Sequence, residues 1–221
     1  DPLAVAEYLG LDRKELMARV ILSQGRQNTN YAINIYACHP FFIQGMATVT
    51  NGENTAFVPI REFLMSRKFP GYTGYHSDSE TFTHILHYMY HQLGMGMEMY
   101  KHIITPLKDG ELNRHPDGVW LRKLKQSCRP LIIDGPNCVI GCLPDKSMFM
   151  VQDSKKLRPG VVGGRPGVFA FSSEMCGLDA ALPDRYVNLD FQPMKYETVI
   201  VRSERQEIEK WNQLEPLTHP H

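Results

Sequence analysis

An α+β fold is what this sequence predicts, and three observations predict it. Apolar residues in the first half recur at helical spacing, as in Phe57, Ile60, Phe63 and Leu64, and again in Phe82, Ile85, Leu86 and Met89. In the second half the period changes: short β-branched or aromatic runs are cut by Gly, Pro and Asp, the pattern of strands joined by tight turns. No internal repeat or low-complexity segment divides the chain, and 221 residues suffice for one domain with a sizeable core. Sheets covered by helices in a single α+β domain fit this order of elements.

Each element has its own signal. Residues 2–9 carry apolar side chains at helical spacing, with Gly10 as a stop. Asp12 is placed to cap a second short helix over 12–17. Residues 19–23 read as a strand that delivers Arg26 just past its end, and 43–50 as another that ends at Asn51-Gly52. A helix is expected from Thr55, with Pro59 near its first turn, where a missing N–H is tolerated. Phe69 to Gly74 is a loop. Ser77-x-x-Glu80 is a capping box and opens the clearest helix of the chain. Gly94 and Gly96 interrupt that helix, 98–104 forms another, and 108–118 is polar and loop-like. Strand-like runs follow at 131–133, 138–140, 149–151, 160–162 and 168–171. A helix over 173–181, strands at 186–189 and 198–201, and a last helix over 204–211 complete the reading.

Composition excludes several classes. Formal charge is zero, with 24 basic and 24 acidic side chains, so nothing favours nucleic acid or an anionic membrane surface. No apolar run approaches the length of a membrane span. The opening Asp1-Pro2-Leu3 lacks the basic and apolar segments of a signal peptide. Five scattered cysteines read as reduced thiols, and the expected compartment is cytoplasmic.

The candidate chemistry centres on Asn51-Gly52. By itself the dipeptide is a hairpin-turn signal. It can also present an oxyanion hole, a side-chain amide and a backbone N–H aimed at one point. Arg26 suits an α-carboxylate, because a guanidinium fork binds it bidentately; a surface salt bridge is the plainer fate. Thr29 can add a hydroxyl to the same carboxylate or merely shape a turn. Asp78 suits an α-ammonium or a helix cap. His39, in Cys38-His39-Pro40-Phe41, reads alone as a core or loop histidine. His84, His87 and His91 share a helix face; a polar surface or subunit contact is expected there and not zinc, since no Cys or carboxylate completes a pattern. Cys138 and Cys142 lie four apart on one strand and read as buried thiols. Met95, Met97 and Met99 alternate and suit an interface. The glycines of 160–167 lack the strand–helix context of a nucleotide loop and read as turns.

In order, Gly25-Arg26-Gln27-Asn28-Thr29, His39-Pro40, Asn51-Gly52 and Ser77-Asp78-Ser79-Glu80 together resemble a class II (N-terminal-nucleophile) glutamine amidotransferase domain. Asp134-Gly135-Pro136, Gln152-Asp153 with Arg158-Pro159, and Ser173-Glu174-Met175-Cys176-Gly177-Leu178-Asp179 extend the resemblance over most of the chain. It implies a four-layer αββα N-terminal-nucleophile hydrolase sandwich. It further implies hydrolysis of glutamine to glutamate and ammonia, passed to an ammonia-accepting synthase subunit or domain. The look is nearest to stand-alone, glutamate-synthase-type amidotransferase subunits, and an oligomer is expected. No cofactor is expected in this chain; a flavin or iron–sulfur group, if any, belongs to the partner. By the resemblance Arg26 and Asp78 hold glutamine, Thr29 and His39 line its pocket, and Asn51 and Gly52 form the oxyanion hole. The family's nucleophile is an N-terminal cysteine whose own amine is the base. This sequence opens with Asp1, so a single domain over 1–221 lacking an upstream segment, and inactive alone, is expected. The alternatives are a non-catalytic regulatory or scaffold subunit that keeps the glutamine pocket, and a zinc-binding module built on the three histidines.

Overall fold

The computed structural model describes residues 2–25, 34–75, 77–205 and 207–218. Its centre is an antiparallel sheet of six strands. These are β1 (Phe41–Ile43), β2 (Met46–Gly52), β3 (Asn137–Cys142), β4 (Met148–Gln152), β7 (Glu197–Val201) and β8 (Ile208–Asn212), in the order β1-β2-β3-β4-β7-β8. A separate pair, β5 (Val161–Arg165) and β6 (Val168–Ser172), forms a two-stranded sheet.

The alternation of side chains along a strand divides the large sheet into two faces. On one, Met46, Val139, Phe149, Val151 and Ile200 pack into the main core. The helices α2 (Phe57–Ser66), α3 (Glu80–His87), α4 (Met97–Ile104) and α6 (Gly118–Ser127) supply its other half through Ile60, Leu64, Phe82, Ile85, Tyr100 and Leu121. On the opposite face Cys138, Ile140, Met150 and Val199 meet Val162 of β5, with Phe171 of β6 beside them. The helix α7 (Met175–Ala181) packs on β5 and β6. The packing order through this region is therefore helices, six-stranded sheet, two-stranded sheet, α7.

Several expectations hold. The helix α1 spans Pro2–Leu9 and stops at Gly10, whose φ is +65°. The cores of α2, α3, α4 and α7, and of β3 to β7, lie where periodicity places them. Others are corrected. No helix forms over 12–17 and no strand over 19–23; the second run has no strand beside it, and Ile21 is 77% exposed. Residues 108–118 contain the short helix α5 (Asp109–Leu112), with Glu111 accepting the Lys108 N–H at 2.7 Å. The helix α6 follows, through the spacing of Leu121, Leu124 and Cys128, which the reading by loops and strands passed over. At 131–133 there is no strand: Pro130 opens a single 3-10 turn over Arg129–Leu131. Residues 186–189 also form a 3-10 turn, Val187–Leu189, and their apolar side chains are exposed. The segment 204–211 is no helix but the turn and strand β8. Its Glu209 meets Arg202 of the preceding turn at 3.1 Å. Helical propensity there yields to pairing with β7.

The capping box also fails. Glu80 does not turn back to Ser77; its two carboxylate oxygens accept the N–H and hydroxyl of Thr73, each at 2.7 Å. This ties the 69–75 loop to the start of α3. Beyond α3 the chain widens into a π-helical turn, Tyr88–Gln92.

One buried charge gives a measurable consequence. Lys101 on α4 is 1% exposed, with its ammonium 5.5 Å from the centroid of the Trp211 ring. Burial pushes its pKa down to about 8, against the opposite pull of Glu98 and Glu215. From about 8 up to the ordinary 10.5 the unfolded chain holds a proton that the folded chain has lost, so stability rises with pH across that window. Below it both states are protonated and the penalty is fully present. Lys101→Met is expected to raise stability at neutral pH, by at most roughly 3 kcal/mol. That gain should fade as pH rises through the window. Urea denaturation of both proteins across that range checks it, and a gain independent of pH would contradict it.

Candidate functional site

The site begins with the way β1 ends. Gln44 and Gly45 both have positive φ, 46° and 83°, and make the two-residue turn that pairs Ile43 with Met46. The hairpin corner is therefore at Gln44-Gly45 and not at Asn51-Gly52. Those two residues close the strand, opposite Cys138 and Asn137 of β3. Gly52 does not need positive φ. It is glycine because β3 comes close: a Cβ there would lie 2.6 Å from the Pro136 carbonyl oxygen and 2.8 Å from the Asn137 Cα.

Register then sets the direction of each backbone N–H. Glu53 donates to Pro136 O at 3.0 Å, so in this antiparallel pair the odd-numbered amides of β2 face β3. The even-numbered ones face β1. There β1 has already ended, and Thr50 N–H is received instead by Nδ1 of His39, at 3.2 Å. Gly52 N–H, two residues on, faces the same side with no strand left on it. Asn51 faces the opposite sheet surface from Thr50, the surface that carries Cys138 and Ile140.

That surface and the two-stranded sheet bound a cleft of about 1160 Å³. Asn51, Gly52, Asn54 and Asp78 contribute polar groups to it; Phe169 and Phe171 of β6 contribute apolar wall, and residues 18–25 border it. Asp78 stands just ahead of α3. Its Oδ2 accepts Asn54 N–H at 2.8 Å and its Oδ1 accepts the Ser79 hydroxyl at 3.3 Å. Its own carbonyl accepts the Thr81 hydroxyl at 2.6 Å. The side chain is thus fixed between the end of β2 and the start of α3, with carboxylate lone pairs to spare. At the rim Arg158 reaches Glu53 at 3.3 Å.

The structure brings Asn51, Gly52 and Asp78 into one cleft. Arg26 and Thr29 lie outside the described residues. His39 does not line the cleft; it supports β2 from behind, through Thr50. Among the polar lining residues, Arg158 enters the sequence reading only through the Arg158-Pro159 pair, and Asn54 is not singled out there. Asn54 lies two residues past Gly52, but adjacency to an Asn-Gly signal says nothing of burial.

Cys138 is the only cysteine lining the cleft among the described residues. Burial, with the Asp153 carboxylate adding to it, pushes its thiol up to about 12. At neutral pH such a thiol is protonated. Iodoacetamide is expected to label the exposed Cys38 and Cys176 and to spare Cys138 in the folded protein. Peptide mapping by mass spectrometry checks this, and prompt labelling of Cys138 would contradict the burial argument.

Among the described residues no group of three His, Cys, Asp or Glu side chains is placed to hold a metal ion. His87 Nε2 is 2.8 Å from Gln44 Oε1, His84 Nδ1 is 3.1 Å from the Glu80 carbonyl, and the His87 and His91 rings are 5.0 Å apart. Burial holds the His87 pKa below the ordinary value, and His91 and His84 lower it further. Among the described residues no helix is long and apolar enough to cross a membrane.

In class, the fold is α+β, built on a six-stranded antiparallel sheet, and a solved amidotransferase shares a similar fold. The chain is similar to glutamine phosphoribosylpyrophosphate (PRPP) amidotransferase from B. subtilis, solved with ADP and GMP, at a TM-score of 0.54 and 15% identity. The match covers 84% of this chain and 34% of that one. It is also similar to a structure described as the allosteric regulatory enzyme of purine biosynthesis, at 0.52 and 14%, over 80% of this chain and 31% of that one. At such identities the likeness shows the fold alone, and the chain spans about a third of the length of these proteins. No family model matches the sequence, and no curated protein matches it.

Proposed function

We propose that this chain is a glutamine amidotransferase domain of the N-terminal-nucleophile kind, a four-layer αββα sandwich that binds glutamine in the cleft at the end of β2. The observation that carries the reading is the meeting of Asn51, Gly52 and Asp78 in one cleft, on a fold similar to an amidotransferase. Glutamine presents an ammonium, a carboxylate and a carboxamide. Asp78 takes the ammonium and Arg26, with Thr29, the carboxylate. Asn51 Nδ2 and Gly52 N–H receive the oxygen of the carboxamide as it becomes tetrahedral. Hydrolysis adds water and yields glutamate and ammonia. The ammonia goes to a synthase subunit or domain, on the glutamate-synthase pattern.

Attack on the carboxamide needs a nucleophile beside a base. A buried, protonated Cys138 does not fill that role, so the reading assigns to these residues glutamine recognition and oxyanion stabilisation. The same observation favours a second reading, a regulatory subunit that binds glutamine without turning it over. Calorimetric titration with L-glutamine, L-glutamate and 6-diazo-5-oxonorleucine tests the shared core of both. Glutamine should bind with one site per chain; heat from none of the three would reject the glutamine site. An ammonia assay on the same samples separates enzyme from sensor.

A further inference from the structure

Asn54 lies just past Gly52, between β2 and α2, in the cleft that also holds Asp78. The residue is 6% exposed. Its amide is oriented by its own backbone, since Oδ1 accepts the Ala56 N–H at 3.0 Å in an Asx turn. Only the oxygen can take that donor, so the assignment of the two amide atoms follows from the hydrogen bond. Nδ2 is then turned away. It is buried and has no hydrogen-bond partner among the described residues. Buried amide donors are destabilising unless something accepts from them, and a structure that keeps one unpaired calls for an explanation.

The neighbour supplies it. The backbone N–H of Asn54 holds Asp78 Oδ2 at 2.8 Å, so one residue that joins the carboxylate also carries an amide donor without a partner among the described residues, and both residues line the same cleft. An α-amino acid carries the complementary pair on a single carbon, an ammonium that donates and a carboxylate that accepts. Simple carboxamides and amines carry only part of that pattern.

We infer that Asn54 is a specificity-determining residue for the amino-acid head group: its Nδ2 donates to the α-carboxylate of the glutamine whose ammonium Asp78 holds. The inference rests on the glutamine site proposed above and adds a contact to it. Asn54 then selects α-amino acids over amides that lack the carboxylate, and its unpaired donor is satisfied when the ligand is in place.

The test uses Asn54→Ser, because a serine oxygen still accepts from the N–H two residues on while the amide donor is lost. Affinity for L-glutamine is expected to fall about tenfold or more, as for loss of a hydrogen bond to a charged group. The melting temperature should move by less than about 4 °C. Binding of 4-aminobutanamide, glutamine without its α-carboxylate, should be the same in the variant and the natural chain. Asp78→Asn is titrated alongside. Unchanged glutamine affinity in Asn54→Ser, with loss in Asp78→Asn, would overturn the role of Asn54 and leave the site standing. Unchanged affinity in both, or no glutamine binding by the natural chain, would overturn the site and this contact with it. Equal loss of both ligands in Asn54→Ser would show that the residue only holds the loop.

Discussion

Asp78→Asn is expected to weaken glutamine binding by about a hundredfold, the scale of losing one partner of a partly buried charge pair. The substitution separates charge from shape. An asparagine Oδ1 can still accept the Asn54 N–H that Asp78 Oδ2 holds at 2.8 Å, so the junction of β2 and α3 is preserved. The negative charge that meets an ammonium is gone. If Asp78 only served the start of α3, the change would remove a dipole interaction of about 0.3–1 kcal/mol and affect stability alone. Calorimetry and a denaturation curve on the same variant tell these apart. Normal affinity with a lowered midpoint would reassign Asp78 to capping.

Phe82→Ala should cost about 3–5 kcal/mol of stability, the usual range for deleting a large aromatic from a packed interior. Phe82 is 1% exposed and lies in the core that α3 shares with α4 and the large sheet. Its carbonyl also accepts the Tyr100 hydroxyl, at 3.1 Å, so α3 and α4 are joined by a polar contact inside an apolar layer. Tyr100 is fully buried, and burial holds its hydroxyl protonated well beyond its ordinary range. A cavity at Phe82 therefore loosens two helices at once. Urea unfolding of the variant measures the loss, and a shift below about 1 kcal/mol would mean that this core collapses around the void.

Much of this was legible in the sequence, and the reasons for the rest are physical. Helices α2 and α3 show because their apolar residues recur at helical spacing, Ile60 and Leu64 in one and Phe82, Ile85 and Leu86 in the other, although α3 and α4 turn out to be buried on every side. Strands β3 and β4 show because both faces are covered, which leaves nearly continuous apolar runs. The last strand hides because Glu209 and Lys210 favour helix locally, while pairing with β7 is a long-range fact. Asn51-Gly52 reads in the sequence as a hairpin corner, whereas in the structure it closes a strand. Close approach by β3 makes a glycine as necessary as a turn does, and a lone sequence does not distinguish the two. Asp78 reads in the sequence as a helix-start carboxylate; it stands one residue ahead of the cap Ser79, and its hold on Asn54 depends on two segments meeting in space.

The pairing of β2 with β3 has a kinetic side. The chain between Gly52 and its partner Asn137 contains α2 through α6, so this ladder closes a long loop. Local helices form quickly, whereas strands distant in sequence wait for the entropy of closure to be overcome. The helical layer can collapse on itself before the sheet exists. Gly52 takes its place against Pro136 only when that loop shuts, and Asn51 comes to lie over the cleft in the same event. The residues of the cleft therefore belong to segments far apart in sequence, and the cleft exists only where this long-range strand pair has formed.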